Sequence, residues 1–170
     1  MKTFSLSLFF LVFYSVVCFC QSGYQVIIDS ANGNQKILKG EITKDELAFY
    51  NWYEPNRKSY TNPEQTAIAG LKLNSQNVNM VVFAGTWCED TRIILPKFFR
   101  LIEESGFPES RIVMYGVDRN KKTDGLLADD YKLINVPTII VTKDGREIGR
   151  VVEYGKTGKW DKDFAELFSE

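Results

Sequence analysis

One cysteine at the end of an apolar run is the residue in this chain best placed to do chemistry. Val81-Val82-Phe83-Ala84-Gly85-Thr86-Trp87-Cys88-Glu89-Asp90-Thr91 reads as a buried strand that turns directly into a helix. Cys88 then stands at a helix N-terminus, before backbone N–H groups that have no intrahelical partner and at the positive end of the helix dipole. Protein thiols become nucleophilic in such positions. The Thr91 hydroxyl, one turn on, is expected to donate a hydrogen bond to the sulfur, and Arg92 is close in sequence. Glu89 and Asp90 either oppose a thiolate by their charge or serve as ordinary first-turn acids of the helix. The chain has no histidine, so the commonest zinc ligand and the commonest general base are both missing. One cysteine with scattered carboxylates makes no metal site, and no metal or cofactor is expected.

The elements that must hold Cys88 follow from pattern. Residues 78–84 form a near-continuous apolar strand of the kind covered on both faces. Residues 89–105 read as a helix with Ile93, Ile94, Phe98, Leu101 and Ile102 inside, and Pro96 is expected to kink it. Strands are expected at 111–117, 137–142 and 146–154, the last two joined by the Lys143-Asp144-Gly145 turn. A short helix is expected at 124–133 and an amphipathic closing helix at 160–168, with Trp160, Phe164, Leu167 and Phe168 on one face. Ahead of these, 24–28 and 36–39 flank the turn signal Asn32-Gly33-Asn34 and are expected to pair as a hairpin. Thr43-Lys44-Asp45-Glu46 matches a capping box, opening a helix over 44–52 that ends before Pro55. Thr61-Asn62-Pro63-Glu64 starts another helix, with Pro63 in the first turn and Ala67, Ile68, Leu71 and Leu73 on its apolar face. Tyr50, Trp52, Tyr53 and Tyr60 are expected to cover the domain.

The first twenty residues differ from the rest. Lys2 precedes an apolar run from Phe4 to Phe19, and the chain turns polar at Gln21-Ser22-Gly23. This layout predicts a secretory signal peptide cleaved between Cys20 and Gln21. An uncleaved anchor and a lipid-modified Cys20 are the alternatives, although Phe19 is bulky for a lipoprotein signal, and no positive cluster follows the run to stop transfer. Cleavage removes Cys18 and Cys20 and leaves Cys88 as the one thiol, so no intramolecular disulfide can form. The net charge of −1 favours neither nucleic acid nor an anionic membrane as partner. The chain divides into a signal peptide at 1–20, an N-terminal extension at 21–60 and one domain at 61–170.

Three features in order resemble the thioredoxin-like superfamily, particularly its exported bacterial members, over about residues 61–170. They are the strand running into Trp87-Cys88; Pro96, eight residues after the cysteine; and Val136-Pro137-Thr138 before an apolar strand and the Lys143-Asp144-Gly145 turn. The resemblance implies an α/β thioredoxin-like fold, a central mixed sheet flanked by helices, here with an N-terminal extension. It also implies that Pro137 is cis beside Cys88, and that Trp87, Val136 and Pro137 form the substrate surface, Val136 through its backbone. Two departures stand out. Thr91 occupies the place of the second cysteine in Cys-x-x-Cys, and Val82 the place of an acidic residue that assists proton transfer.

A chain so altered cannot cycle alone as a dithiol oxidoreductase. The leading expectation is a monothiol site, with Cys88 and Thr91 as its catalytic residues and Glu89, Asp90 and Arg92 as modulators of the thiol. Cys88 forms a mixed disulfide that an external thiol releases. The partners are then a protein or a low-molecular-weight thiol or disulfide, in the periplasm or outside the cell. A redox-inactive module binding a peptide or partner protein is the first alternative. A thiol peroxidase, passing through a sulfenic acid, is the second, without the Pro and Thr that peroxiredoxins place ahead of their cysteine.

Overall fold

The central strand is the one that ends at the cysteine. In the computed structural model, which describes residues 23–169, β3 (Val78–Ala84) pairs in parallel with β4 (Ile112–Gly116) and antiparallel with β5 (Thr138–Lys143). Val82 faces Met114 on one side and Ile139 on the other. β6 (Arg146–Val152) returns along β5 through Asp144 and Gly145, whose φ angles of 50° and 74° belong to a tight two-residue hairpin turn. At the other side, β2 (Gln35–Ile42) runs antiparallel to β4, and β1 (Tyr24–Asp29) forms the edge. The order across the six-stranded sheet is β1-β2-β4-β3-β5-β6. Residues 24–42 thus supply two of the six strands. The apolar leader, with Cys18, Cys20 and the signal-peptide, anchor and lipidation readings, lies outside the described residues. No helix among the described residues is long and apolar enough to cross a membrane.

Side chains alternate across the sheet and build two cores. Val82 and Ile139 face the larger core with Met80, Phe98 and Phe164, whereas Phe83 and Ile140 face a smaller one with Val117, Ala128 and Val136. Trp87 and Cys88 pack against the smaller core.

The helices begin with α1 (Lys44–Ala48), opened by the expected box: Thr43 caps it and the Glu46 carboxylate accepts the Thr43 N–H at 2.7 Å. The expected helix over 44–52 ends at Ala48, and after a turn a further helix follows that the pattern did not show. α2 (Tyr53–Ser59) runs through Pro55, which sits in its first turn, where a missing N–H breaks no intrahelical bond. α3 (Gln65–Asn74) starts later than expected: Glu64 is the cap, accepting from Thr66 N–H at 3.2 Å, and Pro63 precedes the helix. Ala67, Ile68 and Leu71 are buried as expected, but Leu73 is 81% exposed, because two residues past Leu71 is the opposite side of a helix. α4 (Glu89–Ser105) has the expected bounds and ends at Gly106, whose φ of 67° forms a left-handed cap. Pro96 lies inside α4 and sends no N–H to the Arg92 carbonyl. α5 (Leu127–Asp130) is shorter than expected, and α6 (Trp160–Glu166) packs on α3 and β6. Phe164 of α6 meets Phe98 of α4 edge-on, ring centroids 5.7 Å apart, which locks α4 into the larger core.

Candidate functional site

Cys88 is the residue at which β3 becomes α4. Its own backbone is extended (φ −85°, ψ 131°), its N–H donates to Gly85 O at 2.8 Å, and its carbonyl accepts the first helical N–H, from Arg92, at 3.2 Å. The half-buried thiol donates to the Val136 carbonyl at 3.2 Å. The Val136–Pro137 peptide is cis. A segment 48 positions away is thereby held against the sulfur.

Trp87 closes one wall. Its indole N–H donates to Val117 O at 2.9 Å, and the Arg119 guanidinium lies over its ring, 5.2 Å from the centroid. Gly85 is needed beneath it: a Cβ there would come within 2.9 Å of Trp87 Cε2 and 3.0 Å of Val136 Cγ2.

Thr91 is not directed at the sulfur. It is fully buried, and its hydroxyl oxygen accepts the Gly85 N–H at 3.2 Å. Side chains in a helix lean back toward its N-terminus, and from the third helical position that brings the hydroxyl to the amide of the preceding loop. The expected Thr91 bond to sulfur is corrected accordingly: Thr91 clasps the loop. Arg92 also leaves the sulfur, donating from Nε to Thr86 O at 3.0 Å and from Nη2 to Gln35 Oε1 at 3.1 Å. Glu89 is exposed and Asp90 half-buried. Both act on Tyr154, just past β6, whose phenol is pushed above its ordinary range by burial first and then by the Asp90 carboxylate, with Glu89 adding to it. Glu153 carries Tyr154 there by a backbone bond to Pro137 O at 2.8 Å. Val82, where the resemblance implied an acid, is fully buried between Met114 and Ile139 and belongs to the larger core, whereas Cys88 packs against the smaller one.

The hairpin β1–β2 holds the loops on both sides of the thiol. The buried Thr86 hydroxyl accepts Leu38 N–H at 3.2 Å and donates to Lys36 O at 3.3 Å. Lys39 pairs with Asp118 at 2.8 Å, and Arg119 with Asp29. Burial pushes Asp118 up, but Lys39 and the N–H groups of Lys122 and Asn120 outweigh it, so its carboxyl lies below the ordinary range. Arg119 first, then Asn32, hold Asp29 below its ordinary range as well. Thr86, Arg119 and Tyr154 were not singled out from the sequence. Their side-chain partners, Leu38 and Lys36 for Thr86, Asp29 and Trp87 for Arg119 and Asp90 for Tyr154, stand far away in the chain, and spacing carries no signal for such pairs.

The family model described as thioredoxin matches residues 67–163, more than half of the chain. The chain belongs to the thioredoxin family. A thioredoxin of Chlamydia pneumoniae is 34% identical over 85 residues, covering 50% of this chain and 72% of that protein. One of Listeria monocytogenes is 29% identical over 80 residues, covering 47% and 73%. Among solved structures, the thioredoxin of Fasciola hepatica aligns at 27% identity and a TM-score of 0.39, over 55% of this chain and 84% of its own. The thioredoxin match contains Cys88, Thr91, Val136 and Pro137, whereas the clasp residues Asp29, Gln35, Lys36, Leu38 and Lys39 precede it.

Proposed function

We propose that this thioredoxin-family protein carries out thiol–disulfide exchange through Cys88 alone. The observation that carries the reading is the Cys88 sulfur at a helix N-cap, 3.2 Å from the Val136 carbonyl beside cis Pro137, with Thr91 rather than a second sulfur one turn on. The Cys88 thiolate attacks one sulfur of a substrate disulfide. A new S–S bond forms on Cys88, the substrate S–S bond breaks, and the departing thiolate takes a proton from water. An external thiol then attacks the mixed disulfide and frees Cys88. Trp87, Val136 and Pro137 line the path of a substrate chain. The leader from Lys2 to Phe19 supports an exported setting, periplasmic or secreted.

Intact-mass analysis after incubation with a small disulfide tests this. One adduct is expected on the wild type, reversed by added thiol and absent from Cys88→Ser. Absence of an adduct on the folded wild type would overturn the reading. A redox-inactive binding module is favoured instead by the apolar Val82 and by the thiol's bond to Val136. It predicts partner capture that persists in Cys88→Ser.

A further inference from the structure

A cleft of about 310 Å³ lies beside the active-site helix, lined by Gln35, Lys36, Tyr50, Asn51, Trp52 and Arg92. Arg92 ties this cleft to the loop that carries the thiol, its Nε donating at 3.0 Å to the carbonyl of Thr86, which stands just before Trp87 and Cys88. Two cations, Lys36 and Arg92, stand in its walls. Arg92 uses Nε and Nη2 on Thr86 and Gln35, and Nη1 makes no bond among the described residues. The indole N–H of Trp52 is buried with no partner among the described residues. Among the described residues neither Lys36 nor Arg92 has a carboxylate partner, while Lys39 and Arg119 nearby are committed to Asp118 and Asp29. Tyr50 stacks on Trp52 with ring centroids 5.1 Å apart and gives the cleft a flat apolar wall. Among the described residues no acidic side chain lines it. A cleft whose charged groups are two cations fits a ligand carrying negative charge.

We infer that this cleft binds a carboxylate of the small thiol that releases Cys88 from its mixed disulfide. The inference rests on the exchange reading above and names the chemistry of the external thiol: a low-molecular-weight thiol bearing carboxylates. Its thiolate attacks the outer sulfur of the mixed disulfide. The new S–S bond joins the small thiol to the substrate, the bond to Cys88 breaks, and Cys88 leaves as a thiolate that takes a proton from water. Arg92 and Lys36 hold the carboxylate while this occurs and take no part in the bond changes.

The probe is glutathione against its diethyl ester, which keeps the thiol and removes both carboxylates. Release of 2-mercaptoethanol-blocked Cys88 is followed by intact mass, each rate divided by that of the same thiol on a free small disulfide. Glutathione is expected to be favoured on the wild type, and Arg92→Gln to cut that preference roughly fivefold, the size of a partly exposed ion pair. Lys36→Gln, which removes no other side-chain bond, should cut it in the same direction. A rate loss shared equally by both thiols would mean that Arg92 only supports the loop, and an unchanged preference in both variants would mean no site; either result overturns the inference. A second measurement does not depend on Cys88. In Cys88→Ser, titration with succinate should shift the ¹⁵N–¹H resonances of the Trp52 indole and Arg92 Nε, and should not do so in Cys88→Ser/Arg92→Gln. Absent shifts overturn the carboxylate site even if exchange is intact, whereas shifts without any mixed disulfide overturn the exchange reading and its resolving thiol together.

Discussion

Thr86→Val tests whether the N-terminal hairpin is part of the active-site frame. Valine keeps the branching and nearly the volume of threonine but has no hydroxyl. Thr86 is fully buried, and its oxygen is the acceptor for Leu38 N–H. Lys36 O, the other partner, keeps the Tyr50 hydroxyl at 2.9 Å, so its loss is small. The cost is therefore mainly one buried N–H left unpaired, about 2 kcal/mol. For a domain of this length that lowers Tm by about 4–8 °C. Thr86→Ser retains the hydroxyl and gives up one buried methyl, about 1 kcal/mol. Thermal unfolding by circular dichroism reads the stability, and hydrogen exchange at the Leu38 amide reads the bond itself. The valine variant should exchange Leu38 much faster, and its Cys88 alkylation rate should depart from wild type more than that of the serine variant. The reasoning is refuted if valine costs no more than serine, or if the Leu38 amide stays protected without the hydroxyl.

Gly116→Ala should cost about 3 kcal/mol by overpacking, because its Cβ would stand 2.3 Å from Leu38 O and so part β2 from β4; a melting curve close to wild type would contradict this. Thr91→Cys should confer reduction of insulin disulfides, at a cost of about 1 kcal/mol for the lost acceptor of Gly85 N–H; a folded variant without that activity would show that the groove lacks more than one sulfur. Asp118→Asn should destabilise the protein at neutral pH, with a Tm gap to wild type that closes on acidification. A carboxyl held below its unfolded value contributes stability above that value, near pH 4, and loses it as pH falls through the folded value. A gap independent of pH between about 7 and 2 would rule out the Lys39–Asp118 pair as its source.

The parts of the site written in local pattern were legible. The bounds of α4, the N-cap position of Cys88, the Thr43–Glu46 box and the Asp144-Gly145 turn all depend on neighbours within four residues. Pro55 misled because a proline that ends one helix can equally begin the next, and position alone does not say which. Leu73 misled because an apolar residue at the end of a helix is easily counted onto the wrong face. Thr91 and Arg92 were recognised as residues that matter, but their direction was not legible. The Gly85 amide and the Gln35 side chain compete for them, and only the folded chain shows which bond wins. Thr86, Arg119 and Tyr154 gave no local sign, since the partner of each comes from a distant element.

The clasp around the thiol has a consequence for the order in which the molecule assembles. A hairpin such as β1–β2 can close in about 1–10 μs, but a two-stranded ribbon alone is marginal in water. Its bonds to the active-site loops span 48, 79 and 90 positions, so they are made only when β3 and β4 have joined the sheet. Contacts of that separation form late, after the entropy of closing long loops has been overcome. A nascent or partly unfolded chain therefore carries an accessible sulfur with no groove around it. Any adduct gained in that interval is chosen by collision rather than by shape, and the finished sheet must then close over it or stay open.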